Sequence, residues 1–250
     1  MDLRFDSYMF IAVLVLFFSM AGLEVYAGDS CTECHRDGGL LQQNKVLYDY
    51  FKNWEGSLHD LSGVICSDCH GGNPESKDKD SAHANNFYTF QMDGKQSYEK
   101  VPETCGKCHE AVLNNFRRSN HYKALTEKGT GPNCVTCHGA MNVEVYYSAV
   151  ITKTCVTCHN EETGNRPEIV DEAGVILQRI NVSRAFKNWI EINCSDDERA
   201  NIKVLNVMYS SLTESWHSFD FKQLDQMSLD LLNRAKTLVN KGLIEKRRSN

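Results

Sequence analysis

Apolar and polar positions change their pattern partway along the chain. Up to about residue 165 the apolar residues come in short groups separated by glycine, asparagine and charged positions. Val46, Leu47, Tyr50, Phe51 and Trp54 recur at helical spacing and predict a short helix. Pro102 is placed to open a turn leading into Cys105, Val112 and Phe116. Gly71-Gly72-Asn73-Pro74 with the charged run 75–80 predicts a loop, and residues 128–132 predict another. Only residues 143–150 alternate in a way that reads as a strand. From about Glu168 the periods lengthen. Val175, Ile176, Ile180, Phe186, Trp189 and Ile190 predict a helix ending near Asn193. Ser195 and Glu198 then make a capping box ahead of a stripe of Ile202, Leu205, Met208, Leu212 and Trp216. A third helix is expected from about Phe221, with Leu224, Met227, Leu231, Ala235, Leu238 and Leu243 inward. Its last turns hold Lys241, Lys246, Arg247 and Arg248, the sign favoured at a helix C-terminus. The expected fold is mostly α with extensive irregular loops. Residues 166–250 form a helical segment that either caps residues 28–165 or offers a docking face to a partner or second protomer.

The N-terminus places the chain outside the cytoplasm. Arg4 precedes an apolar run over residues 9–21, and Val25-Tyr26-Ala27 offers small residues where a signal peptidase reads, so residues 1–27 are expected to be cleaved before Gly28. The run is short against the roughly 20 residues that a membrane span needs. Membrane attachment is expected only if the segment stays uncleaved, and a bacterial periplasm is the expected compartment. Asp2, Asp6 and Glu24 against Arg4 leave the remainder near −4 of the full chain's −6. No basic stripe invites nucleic acid. An acidic protein would instead dock on basic patches of its partners.

Chemistry enters with one pattern repeated five times: Cys31-Thr32-Glu33-Cys34-His35, Cys66-Ser67-Asp68-Cys69-His70, Cys105-Gly106-Lys107-Cys108-His109, Cys134-Val135-Thr136-Cys137-His138 and Cys155-Val156-Thr157-Cys158-His159. In Cys-x-x-Cys-His each thiol forms a thioether to a haem vinyl group, and the histidine becomes an axial ligand of the iron. The five copies use ten of eleven cysteines and five of nine histidines, so five covalent haem c groups are expected. Structural zinc uses such pairs in fours and gives no reason for the histidine that always follows. A disulfide framework suits an oxidising compartment, but a two-residue gap favours redox or metal chemistry. Cys194 stands outside the pattern and reads as a buried thiol packing as a small apolar group. The motifs are spaced too irregularly for a strict repeat, so the chain is expected to wrap haems that supply much of its core.

The remaining histidines, His59, His83, His121 and His217, are candidates for the sixth positions of the irons. A lone histidine is more often a surface or core residue, but five irons need ligands and only these four imidazoles lie outside the motifs. One haem is left short. Met141, three positions past His138, is the candidate to complete the set; a thioether opposite histidine raises the reduction potential relative to two histidines. The plain alternative is that Met141 packs on a porphyrin while Met92, Met208 or an open iron fills the role.

Four stretches resemble the multihaem c-type cytochromes grouped with hydroxylamine oxidoreductase and its tetrahaem electron acceptor. They are Trp54-x-x-Ser57-x-His59; Cys69-His70-Gly71-Gly72-Asn73-Pro74 with Lys79 and Ala82-His83; the stretch from Cys105 through Phe116, Ser119, His121, Tyr122 and Leu125 to Gly139; and Trp216-His217-Ser218-Phe219-Asp220. The resemblance implies that the histidines at these places are distal ligands, with closely stacked haems passing electrons along the molecule. Family members often carry a ligating histidine after the motif at 134–138, where this chain has Ala140-Met141.

Two functions follow. The first is an electron conduit between redox partners: a quinol-oxidising or dehydrogenase donor, and a reductase or envelope acceptor. The alternative is an oxidoreductase acting on a small nitrogen or sulfur compound at one five-coordinate haem. Against that alternative, the sequence holds no Cys-x-x-Cys-Lys variant, and Tyr146 and Tyr147 are weak acid/base candidates. Oligomers, including a haem-stacked filament, fit the composition without a specific residue behind them.

Overall fold

A computed structural model describes residues 29–84, 87, 95–139, 141, 148–193 and 199–249. The described residues form helices and loops, with no strand among them. In chain order the helices are α1 (Ser30–His35), α2 (Gly38–Gln43), α3 (Lys45–Trp54), α4 (Leu58–Leu61), α5 (Cys66–His70), α6 (Lys79–Ala82), α7 (Lys95–Gly106), α8 (Glu110–Phe116), α9 (Asn120–Lys128), α10 (Cys134–His138), α11 (Ser148–Val156), α12 (Ile169–Asn193), α13 (Arg199–Ser215) and α14 (Phe221–Ser249); a 3₁₀ turn at Trp216–Ser218 joins the last two.

The chain divides into two units, residues 1–52 with 62–88 and residues 53–61 with 89–250. In the first, α1 packs on α5, and the Ser30 N–H donates to the Pro74 carbonyl at 2.8 Å. α3 turns Phe51 into the interior as its spacing predicts, with the Arg36 guanidinium over the ring. The loop after α5 closes on itself. Gly72 sits at φ 85°, a Cβ there would meet the Ala82 carbonyl oxygen at 2.5 Å, and the Asn73 N–H donates to that same oxygen. Residues 79–82 of this region wind into the single turn α6, capped by the Asp78 carboxylate at the Ser81 N–H.

In the second unit the apolar core lies in α12, α13 and α14. Ile176, Ile180, Ile190, Leu205, Leu212, Leu224, Leu231, Ala235 and Leu238 form one buried cluster, flanked by Phe186, Trp189, Met208 and Met227. The stripes of the sequence are thus the bundle's inner faces, except that Val175 points outward and Ala173 takes the buried place beside it. The Arg179 guanidinium joins α12 to α14 through the Asp225 carboxylate at 2.5 Å and the Ser228 hydroxyl at 3.3 Å. Below the bundle, α11 packs on α12, while α8 meets both α13 and the 3₁₀ turn.

Two expectations are corrected. Pro102 does not open a turn: it lies inside α7, nearly fully buried. Proline has no N–H for the carbonyl one turn back, and the Asn133 side-chain amide donates to that Tyr98 carbonyl instead, at 3.0 Å. Nor is the run 143–150 a strand throughout, because Ser148 begins α11; residues 143–147 lie outside the described ones. So do the expected signal segment, Met92, Tyr146, Tyr147, Cys194, the expected capping box at Ser195 and Glu198, and the side chains of Leu243, Lys246, Arg247 and Arg248.

Candidate haem-binding site

Each attachment motif with a regular helix is built by a local device. The Asp29 carboxylate accepts from the Cys31 N–H at 3.1 Å to start α1. At α5 the Asp68 carboxylate reaches back to the Ile65 N–H at 2.9 Å. The Asn133 side chain accepts from the Thr136 N–H at 3.2 Å and the Thr136 hydroxyl from the Asn133 N–H at 3.1 Å, a reciprocal cap on α10. Cys105 and Cys155 instead lie near the C-terminal ends of α7 and α11.

These helices bring the cysteines of successive motifs together. Cys31 and Cys66 share a hydrogen bond, which holds the Cys31 thiol far above its ordinary range. Cys105 is raised in the same way by Cys134. Burial, then the neighbouring Cys155 and Cys158, pushes Cys137 up to about 11. Motifs 1 and 2 are therefore neighbours in the first unit, and in the second unit motif 4 lies beside both motif 3 and motif 5. One network fixes the contact between motifs 3 and 4: Asn133 caps α10 and holds the Tyr98 carbonyl of α7, while the Tyr98 hydroxyl meets the Thr136 hydroxyl at 3.0 Å.

The histidines come together in pairs, with ring planes tilted by 32° to 54°. His35 and His83 have ring centroids 6.3 Å apart, His59 and His109 6.3 Å, His121 and His159 5.9 Å, and His138 and His217 6.0 Å. Metal–imidazole bonds of about 2 Å on both sides of one ion, with each ring centre about 1.1 Å behind its nitrogen, put trans centroids about 6.2 Å apart. All four pairs fit an iron held between them. In each, a motif histidine faces one of the four histidines outside the motifs.

Backbone carbonyls orient several of the rings. Nδ1 of His83 lies 2.7 Å from the Lys79 carbonyl, that of His159 2.7 Å from the Asn165 carbonyl, and that of His217 3.1 Å from the Thr213 carbonyl. An N–H donated there leaves Nε2 free to ligate. Nδ1 of His121 and of His138 is buried with no hydrogen-bond partner. Burial, then the facing His159, lowers His121 to about 4. Burial, then His217 and His109, does the same to His138. Burial is also the first cause that lowers His35 and His217. These imidazoles are neutral near pH 7, the form that coordinates metal.

The elements that present the outer histidines differ. His121 rides the first turn of α9, started by the Ser119 hydroxyl at the Tyr122 N–H and ended by Gly129 at φ 65°. His217 sits in the 3₁₀ turn, followed by Phe219 at φ 54°, whose ring packs edge-on against His121 at 4.3 Å. His59 comes from α4 in residues 53–61, a segment that groups with the second unit although it interrupts the first in sequence. Met141 is half-buried three residues after α10. Sequence reading missed Asn133 and Tyr98, and named Phe219 only as part of the stretch 216–220. An asparagine directly before a motif that is preceded by an in-helix proline is the signal that would have found the first two.

Residues 90–160, which hold the last three motifs, match the family profile described as cytochrome c7 and related cytochrome c. Over this stretch the chain is similar to cytochrome c7-type multihaem domains. Over 145 residues the chain is 26% identical to the multihaem cytochrome MtrA of Shewanella baltica (strain OS185), covering 58% of this chain and 35% of that protein. The chain thus spans about a third of that relative's length. No solved structure matches it. Haem c binding and electron transfer are what a multihaem cytochrome domain implies. Among the described residues no helix is long and apolar enough to cross a membrane.

Proposed function

We propose that the chain is an exported, periplasmic cytochrome that carries five haem c groups and passes electrons between protein partners. The donor is a quinol-oxidising or dehydrogenase protein and the acceptor a reductase or an envelope component. The observation that carries this reading is the set of four facing histidine pairs. Haem c, when bound, supplies one-electron ferric/ferrous chemistry. Cys31, Cys34, Cys66, Cys69, Cys105, Cys108, Cys134, Cys137, Cys155 and Cys158 would anchor it, and His35, His70, His109, His138 and His159 would each ligate it. His83, His59, His217 and His121 would be the second ligands beside His35, His109, His138 and His159 respectively. Two imidazole ligands would leave no position for substrate, which supports the conduit over the oxidoreductase alternative. Met141 is proposed as the thioether ligand of one haem, residues 28–165 as the haem domain, and residues 166–250 as the helical segment that packs on it. The kinship with the hydroxylamine oxidoreductase group remains part of this proposal and rests on the four sequence stretches named for it.

The test is a mass measurement with a redox titration of the purified protein. Expected are a mass of residues 28–250 plus five haems and five one-electron steps. Fewer than five haems, or a majority of high-spin irons, would overturn the reading. In the same titration Met141→His should lower the potential of one haem only, and a variant in which none shifts sinks the thioether.

A further inference from the structure

We infer that Phe219 is a positioning residue that holds the ring plane of His121, the task that backbone carbonyls perform for His83, His159 and His217. The inference rests on the five-haem reading, in which His121 and His159 are ligands of one haem.

Ser119 caps α9 at the Tyr122 N–H, and the Tyr122 hydroxyl donates to the Glu103 carboxylate of α7 at 3.0 Å. These bonds fix the backbone that carries His121. They leave its ring free to turn, because rotation about the Cβ–Cγ bond of histidine is soft. At other histidines a carbonyl on Nδ1 sets that rotation: Lys79 at 2.7 Å for His83, Asn165 at 2.7 Å for His159 and Thr213 at 3.1 Å for His217. Nδ1 of His121 is buried without a hydrogen-bond partner. Nδ1 of His138 is too, but His138 directly follows Cys137, whose thioether would fix its position on the five-haem reading; His121 has no covalent anchor. What His121 has instead is the Phe219 ring, edge-on with centroids 4.3 Å apart and planes at 73°. That is closer than the roughly 4.5 Å at which such pairs usually begin.

Phe219 holds this place against its backbone preference. Among the described residues it is one of two non-glycine residues with positive φ, at φ 54° and ψ 28°. A bulky side chain rarely adopts that conformation. Glycine is the usual choice, and the chain uses one at φ 65° to end α9. A glycine would make the reversal from the 3₁₀ turn into α14 without strain, so the reversal alone does not call for phenylalanine. The ring is also held from behind. Trp216 lies 6.0 Å from it and 5.8 Å from Phe221, and Trp216 and Phe221 both pack on the apolar core of the bundle. An aromatic row thus runs from that core to His121, and strain kept in place by such packing marks a functional constraint. In a haem ligated by both His121 and His159, the angle between the two imidazole planes, 53° here, sets the splitting of the iron dxz and dyz orbitals. Ferric g values report that splitting.

The experiment is low-temperature electron paramagnetic resonance of the oxidised holoprotein, with the haem content of each variant measured by mass. His121→Gly and His217→Gly assign the signals, because each removes the bis-imidazole signal of its own haem. Phe219→Gly should shift the g values of the His121 signal and leave the His217 signal in place. Phe219→Tyr, which keeps an aromatic edge, should retain both. If Phe219→Gly does not accumulate, Phe219→Leu carries the same expectation, since a branched alkyl group presents no flat edge. An unmoved His121 signal overturns the inference. So does a shift of both signals, which would mean that Phe219 acts through the turn that carries His217 rather than on the His121 ring. A wild-type mass short of five haems fails the underlying reading, whereas five haems with an unmoved signal fail this inference alone.

Discussion

Replacing Asn133 by alanine removes two functions of one buried side chain. Asn133 is 2% exposed; its amide oxygen caps α10, and its amide nitrogen donates to the Tyr98 carbonyl that Pro102 leaves unbonded. Loss of an N-cap costs about 1 kcal/mol. An unpaired carbonyl in a part-buried site adds about 1–2 kcal/mol. The expected total is about 2–3 kcal/mol, a fall in the guanidinium midpoint of about 0.6 M at a slope of about 4 kcal/mol per molar. Pro102→Ala separates the two contributions, because alanine restores the N–H that bonds Tyr98 within α7. In that background Asn133→Ala should cost only the cap, about 1 kcal/mol, leaving a coupling of about 1–2 kcal/mol between the two positions. Whatever Pro102→Ala does alone cancels in the cycle. The assay is denaturation followed by circular dichroism at the helix band, on proteins whose haem content is matched by mass. Equal losses in both backgrounds would refute the claim that Asn133 stands in for the missing proline N–H. Asn133→Asp is the companion: it keeps the cap acceptor and places a carboxylate against the Tyr98 carbonyl, so it should lose the carbonyl contribution alone.

Gly131 lies against the backbone of α9, where an added Cβ would overlap the His121 carbonyl oxygen and the Leu125 nitrogen. Gly131→Ala should therefore shift the turn that presents His121, and the reduced protein should bind carbon monoxide at one more haem; unchanged binding would refute a positioning role. Acid should destabilise the second unit through His121, whose folded value of about 4 lies below the ordinary 6.5. Its contribution is complete above pH 6.5 and is lost as pH falls below that, because a proton on the imidazole opposes both its burial and its ligation. Denaturation midpoints measured from pH 7 to pH 4.5 should fall for wild type and stay flatter for His121→Ala, and a midpoint that rises in acid contradicts the sign.

The long helices were legible because their apolar period persists over many turns. α12 and α14 begin and end close to where Ile176, Ile180 and Ile190, or Leu224 through Leu238, place them. α3 was legible for the same reason at shorter length. Pro102 misled because its local meaning, a helix start, assumes that no partner elsewhere replaces the missing hydrogen bond. Asn133, far along the chain, does. Val175 fits the stripe by spacing, but Ala173 lets α12 come closer to its neighbours. The attachment motifs and the outer histidines could be named from sequence. Their pairing could not, since proximity in sequence would have given His83 to motif 2 and the structure turns it to motif 1.

The distribution of buried apolar residues explains why the chain continues well past its last motif. Among the described residues between 29 and 165 the buried large hydrophobics are Phe51, Val101, Leu113, Phe116, Leu125 and Ile151, scattered among many short helices. On the five-haem reading, porphyrin faces would add to this interior. The three C-terminal helices differ. Leu205, Leu212, Leu224 and Leu231 are at most 1% exposed, each worth about 2 kcal/mol in burial, and they pack on one another rather than on a cofactor. This bundle is the part of the second unit with a core independent of haem. It meets the cytochrome domain through α8 and α11, and it sets His217 opposite His138 from the turn that also places Phe219 on His121. One turn thus fixes both the approach of His217 to His138 and the packing of Phe219 on His121. On the proposed reading the helical segment would position groups at two adjacent haem sites.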